Sequence, residues 1–161
     1  MLKWLWLSVV CIFLDQITKY MAEFHLNETI VVNPFFNIVL AHNEGAAFSI
    51  LSDAGGWQRW FFIVLASLVS IVLIVWLKKI PLNEKWQAIS LAMIIGGAIG
   101  NVIDRSIYGY VIDFIQVHYQ DWYWPAFNVA DSVITMGVVL MLLDEYILKR
   151  KKDSLEIARN K

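Results

Sequence analysis

Four aspartates stand in stretches that are otherwise mostly apolar: Asp15, Asp104, Asp113 and Asp131. Near them lie Gln16, Thr18 and Lys19, then Asn101 and Arg105, then Asn128. Asp15 and Lys19 are one helical turn apart, as are Asn101 and Arg105, and Asn128 precedes Asp131 by three residues, so each pair shares a face of a helix. Opposite charges are at hand for Asp15 with Lys19 and for Asp104 with Arg105, which fit an ion-paired structural lock as well as a site. Asp113 and Asp131 have no cationic neighbour in sequence, and two carboxylates brought together cannot both ionise. A pair sharing one proton is how aspartic peptidases activate water at a peptide carbonyl, with the ionised member as base and the protonated one as acid. Spacing alone leaves two alternatives beside it, structural carboxylates and an ion pathway.

Other chemistries find less support. His25, His42 and His118 lack the spacing of metal ligands, so no metal is expected. No serine sits in a G-x-S-x-G setting, and no glycine-rich loop leads to Lys-Ser/Thr for phosphate. Cys11, the single cysteine, cannot form an internal disulfide and reads as packing. Nucleic acid is not indicated, because the C-terminal basic cluster is short and anionic lipid accounts for it.

The elements that must hold these residues follow from composition. The 161 residues are 59% hydrophobic and 17% charged, too apolar for an ordinary soluble domain. Apolar runs at about 2–22, 57–77, 86–103 and 127–148 each approach the ~20 residues that carry a helix across roughly 30 Å of hydrocarbon. The first begins like a secretory signal, but no small-x-small site follows and Val10 precedes Cys11, so it reads as a retained helix.

If four helices alternate, Lys3, Lys78, Lys79, Lys85, Lys149, Arg150, Lys151, Lys152, Arg159 and Lys161 fall on one side, and only Lys19, Arg59 and Arg105 on the other. That excess places both termini in the cytoplasm and the loops 23–56 and 104–126 outside. Trp57, Trp60, Trp86, Trp122 and Trp124 fall at the expected boundaries, as an aromatic belt would. The polar residues then converge on the outer half of the membrane, with Asp131 roughly 6 Å below its boundary.

The loop 23–56, rich in Ile30, Val31, Val32, Phe35, Phe36, Ile38 and Val39, reads as a small strand-rich platform. The stretch Ser106 to Pro125 reads as a short interfacial helix or a flap. Gly96, Gly97, Ala98 and Gly100 mark close helix packing, and the tail 149–161 is a charged cytoplasmic extension of the last helix. The expected fold is an all-α membrane protein: one domain over 1–161, four transmembrane helices, an extracytoplasmic β-rich platform and a short interfacial loop or helix.

Five motifs in order also resemble one known family. They are Asp15-Gln16-Ile17-Thr18-Lys19; His42-Asn43-Glu44-Gly45-Ala46-Ala47-Phe48; Gly96-Gly97-Ala98-Ile99-Gly100-Asn101-Val102-Ile103-Asp104-Arg105; Val111-Ile112-Asp113-Phe114; and Phe127-Asn128-Val129-Ala130-Asp131. Together they resemble the bacterial lipoprotein signal peptidases, or signal peptidase II, over nearly the whole chain, although the family commonly has threonine where Glu44 stands.

The resemblance implies that Asp113 and Asp131 are a catalytic pair, with Asp15, Asn43, Asn101, Arg105 and Asn128 lining or supporting the site; Lys19, which with Asp15 is expected to fix the first helix, and Gly45 and Asp104 join them as candidates for binding substrate or supporting the site. It also implies prolipoproteins as substrates, cut just before a diacylglyceryl-modified cysteine. A lipid-anchored cysteine holds the scissile bond at the outer face of the bacterial cytoplasmic membrane, where the carboxylates are expected; water as second substrate leaves no need for a cofactor, and a monomer in contact with membrane lipid is expected. A small ion- or proton-coupled transporter component is the alternative. Against it, the inner halves of the helices, such as Ser67 to Trp76 and Val133 to Leu143, carry almost nothing ionisable.

Overall fold

The computed structural model describes residues 1–45 and 55–159, with side chains through Ile147. Ala46, Ala47 and Phe48 of the second motif, and the side chains of the basic tail, lie outside the described residues. After a 3-10 turn at Leu2–Trp4, helix α1 spans Leu5–His25. Strands β1 (Ile30–Asn33) and β2 (Phe36–Asn43) follow. Helices α2 (Trp57–Lys79) and α3 (Lys85–Ile107) come next, then β3 (Val111–Tyr119), β4 (Trp122–Tyr123) and α4 (Val129–Arg159).

Local sequence sets the ends of these elements. Gly55 and Gly56, both at positive φ, turn the chain into α2. That helix stops at Ile80, held extended by the Pro81 that follows it. Gly109, at φ +94°, makes the tight reversal from α3 into β3. Asn128 caps α4: its Oδ1 accepts the Asp131 N–H at 2.9 Å while Asp131 Oδ2 accepts the Asn128 N–H at 3.3 Å, a reciprocal capping box.

Helix α3 is central, packed against α1, α2 and α4. Small residues allow the close approach. A Cβ at Gly96 would sit 2.8 Å from Cys11 Cβ, one at Gly100 would sit 2.6 Å from Asp15 Oδ2, and one at Gly97 would strike the Ala130 carbonyl. An apolar core of Leu77, Ile80, Ala88, Leu91 and Ile95 fills one end of the bundle. The buried charges lie at the other end, near the sheet. Outward, α1 exposes Phe13, Ile17 and Met21, and α2 exposes Val64, Leu68, Ile71 and Val72. So much contiguous apolar surface requires a lipid solvent. By length and composition α1, α2 and α3 can each cross a membrane.

The four strands form one antiparallel sheet in the order β1-β2-β3-β4. Strand β3 corrects the expectation of an interfacial helix or flap over Ser106 to Pro125. Val111, Asp113, Ile115 and Val117 alternate with Ile112, Phe114 and Gln116, and this period of two pairs with β2 instead of coiling. The register Ala41↔Asp113 and Asn43↔Val111 sets Asn43 and Asp113 on one face. Phe127 then bonds to Ile115 in both directions, at 2.9 and 2.8 Å, which delivers Asn128 and the start of α4 beside Asp113.

Candidate active site

Asp113 is 2% exposed. Its Oδ2 accepts the Asn43 amide N–H at 3.0 Å, and its Oδ1 accepts that of Asn128 at 2.6 Å. Asp131, in the first turn of α4, accepts the Asn101 amide N–H on Oδ1 at 2.8 Å and the Asn128 backbone N–H on Oδ2. Asn128, fully buried, thus bonds to both carboxylate residues, one from the sheet and one from the helix it caps. Burial first, and then the charge of Asp131, push the Asp113 carboxyl up to about 6, while the N–H bonds from Asn43 and Asn128 pull it down.

Both carboxylates line a cavity of about 660 Å³. Asn43, Asn101 and Arg105 supply its polar wall, and Phe127, Ile134 and Met136 are among its apolar side chains. Arg105 donates from Nη2 to the Gly45 carbonyl at 2.7 Å, lies over the Phe62 ring, and leaves a buried Nε without a partner. Other atoms of Arg105 line the cavity, while this Nε is enclosed.

Beneath the pair lies a buried ionic cluster. Lys19 Nζ is 2.8 Å from Asp15 Oδ2, 2.9 Å from Asp104 Oδ2 and 2.9 Å from Asn101 Oδ1. The Asp15–Lys19 pair is present as an i,i+4 bridge. The expected Asp104–Arg105 pair is not: Asp104 turns to Lys19, and Arg105 turns to the loop carbonyl of Gly45. Consecutive residues on a helix point about 100° apart, so the two could not share a direction.

Of the ten candidate residues, the structure gathers Asp15, Lys19, Asn43, Asn101, Asp104, Asp113, Asn128 and Asp131 into one bonded network, with Arg105 and Gly45 joined at its edge. Gln16, marked in the sequence only as a polar neighbour of Asp15, donates from Nε2 to Asp104 Oδ1 at 2.8 Å, and Ser132 and Thr135, which the sequence does not mark, lie in the cavity wall. The last two lie one and four residues after Asp131, a spacing that puts Thr135 one turn further along the same face. Among the described residues no group of three or more His, Cys, Asp or Glu is arranged to hold a metal ion.

This architecture is that of a bacterial membrane enzyme. It superposes on one such enzyme, solved by the in meso method at 2.3 Å resolution, with a TM-score of 0.79 and 30% identity, over 94% of this chain and 90% of that one. A second, solved by the same method at 1.9 Å, gives 0.75 and 31% over 88% and 90%. More specifically, the chain belongs to the signal peptidase (SPase) II family, whose sequence model matches residues 7–147. It is 53% identical to a lipoprotein signal peptidase of Acinetobacter baumannii over 94% of this chain and 87% of that protein. Enzymes of the same name from Pseudomonas syringae pv. tomato and Pseudomonas aeruginosa are each 49% identical, over 96% and 95% of this chain and 91% and 93% of theirs. The transporter alternative gains no support from these relationships.

Proposed function

We propose that this chain is an aspartic endopeptidase that removes the signal peptide from diacylglyceryl-modified prolipoproteins, cutting just before the lipidated cysteine, with Asp113 and Asp131 as its catalytic carboxylates. One observation carries the reading: two carboxylates from different elements, tied through Asn128, face a single cavity whose remaining wall is largely apolar. The pair holds one proton. Asp113, which keeps its proton to higher pH than an ordinary carboxylic acid, is assigned the acid role, and Asp131 the base role.

Asp131 takes a proton from water as the water oxygen attacks the scissile carbonyl carbon. The Asp113 proton supports the developing oxyanion and passes to the leaving amine as the C–N bond breaks. Arg105, which lines the cavity, is placed to grip a substrate carbonyl. Asn43 fixes the Asp113 carboxylate from the neighbouring strand.

The membrane placement belongs to the same proposal. Helix α4 is the fourth span, its run from Ser132 to Leu143 uncharged, and both termini are cytoplasmic by the distribution of lysine and arginine. The carboxylates then lie near the outer face, the level at which a lipid-anchored cysteine holds its scissile bond, with the acyl chains left in the bilayer. All the site residues come from one chain, so a monomer suffices.

The test is cleavage of a purified diacylglyceryl-modified prolipoprotein by wild type, Asp113→Asn and Asp131→Asn, each shown to be folded in detergent. Wild type cuts before the lipidated cysteine and both variants are inactive. Cleavage by a folded variant removes the dyad, and a wild type that does not cut removes the substrate assignment.

A further inference from the structure

Lys19 is 1% exposed, and its ammonium has three N–H donors and no acceptor. Each donor goes to a group that leads on to a catalytic carboxylate. Asp15, bonded to Lys19 through Oδ2, accepts on Oδ1 the backbone N–H of Ala130, the residue before Asp131, at 2.8 Å. Asp104 accepts on the same Oδ2 the backbone N–H of Ile112, the residue before Asp113, at 3.1 Å. Asn101 turns its oxygen to the ammonium, which leaves its Nδ2 for Asp131.

The sense of that amide is forced. A flipped Asn101 would put N–H groups against an ammonium and its oxygen against a carboxylate. Asn128 is fixed in the same sense: its Oδ1 is taken by the Asp131 N–H, so its Nδ2 serves Asn101 Oδ1 at 3.3 Å and Asp113 Oδ1 at 2.6 Å.

We propose that Lys19 is a positioning residue for the reaction: its charge sets the direction of the Asn101–Asn128 amide chain, so that both catalytic carboxylates receive N–H donors, and through Asp15 and Asp104 it anchors the two backbone segments that carry them. The inference rests on the assignment of Asp113 and Asp131 as the catalytic pair.

The charged groups facing that pair are Asp15 and Lys19 from α1, Asp104 and Arg105 from α3, and each carboxylate facing the other from β3 and α4. Strand β2 contributes the neutral Asn43, while His42, on the opposite face, bonds to Glu23. Without Lys19, Asn101 can present oxygen to Asp131, Asn128 can swing from Asp113, and Asp113 loses a cation that favours its ionised form. The shared proton is then held to higher pH in a looser pair.

Wild type, Lys19→Met and Asn101→Asp are compared, each with its unfolding midpoint in detergent. One readout is kcat and KM against pH on a diacylglyceryl-modified prolipoprotein. The other is an infrared titration of the carboxyl groups, which requires no substrate. Lys19→Met is expected to lose about 100-fold in kcat with KM changed less than about threefold, and to move the alkaline limb and the carboxyl titration up by about one pH unit. Asn101→Asp keeps an acceptor for Lys19 but offers no N–H to Asp131, and is expected to fold and to move both readouts the same way.

A folded Lys19→Met with the wild-type pH limb and titration overturns the proposal and leaves Lys19 merely structural. If Lys19→Met does not fold, Asn101→Asp decides, and an unshifted limb overturns it. A wild type that does not cleave sinks the substrate reading, yet the infrared titration still judges Lys19: a shift supports the proposal and no shift overturns it.

Discussion

Replacing Asp113 by asparagine should abolish cleavage and, at neutral pH, make the protein more stable. The carboxyl titrates at 3.8 in an open chain and at about 6 in the folded protein, because burial and the charge of Asp131 both oppose ionisation. The folded state therefore binds more protons than the unfolded state between those values. The contribution of Asp113 to stability is fully present below about pH 4 and is lost as pH rises through 6. A shift of about two units corresponds to roughly 3 kcal/mol that the wild type forgoes at pH 7.5.

Asparagine removes that penalty but cannot accept from both Asn43 and Asn128 as the carboxylate does, which costs about 1 kcal/mol for one lost hydrogen bond. The net expectation is a gain of about 1–2 kcal/mol at pH 7.5, or about 2–8 °C in Tm for a chain of this size. Below pH 4 only the lost hydrogen bond remains, so the sign reverses and the variant melts lower than wild type. Thermal unfolding in detergent from pH 4 to 8, followed by tryptophan fluorescence, reads both arms. A variant that is less stable at pH 7.5, or a Tm difference that does not change with pH, would contradict a raised Asp113 titration in the folded protein.

Asp131→Asn removes the second cause that raises Asp113, so the Asp113 titration should fall below 6 and the pH dependence of stability should shrink, as the same fluorescence series would show. Gly100→Ala puts a methyl group 2.6 Å from Asp15 Oδ2, and relief requires moving a carboxylate that holds both Lys19 and the Ala130 N–H. The expected cost is about 1–3 kcal/mol of stability, with cleavage down by at least about tenfold, and an unchanged Tm with full activity would contradict the packing described for α1 and α3.

The helices were legible because an apolar run near the thickness of a bilayer has few alternatives, and the β-branched residues from Ile30 to Val39 announced β1 and β2. Strand β3 was not, because adjacent Phe114 and Ile115 blur the alternation and the strand owes its form to pairing with β2 and to the bridge with Phe127. Tertiary pairing of that kind overrides local pattern. The site residues were legible as types: buried Asp, Asn and Lys in apolar segments each need a partner. Their partners were not. Asp104 lies beside Arg105 in sequence yet pairs with Lys19, and Gln16 reaches Asp104 from another helix, because such distances are set by how α1 and α3 pack.

The same packing explains why the charges can be where they are. A lysine and two aspartates buried together are expensive, and well-packed apolar side chains would often serve stability as well or better. Here the cost is limited by complete satisfaction: Lys19 spends all three donors, Asp15 and Asp104 each accept from Lys19, Gln16 and a backbone N–H, and Asn128 uses its oxygen and both amide hydrogens. Gly100 makes this possible by leaving room for the Asp15 carboxylate against α3. The network ends at Asp113 and Asp131, which remain open to the cavity. A purely structural cluster would gain nothing by extending N–H donors to carboxylates at a cavity wall, whereas the proposed dyad gains two carboxylates already oriented before substrate arrives.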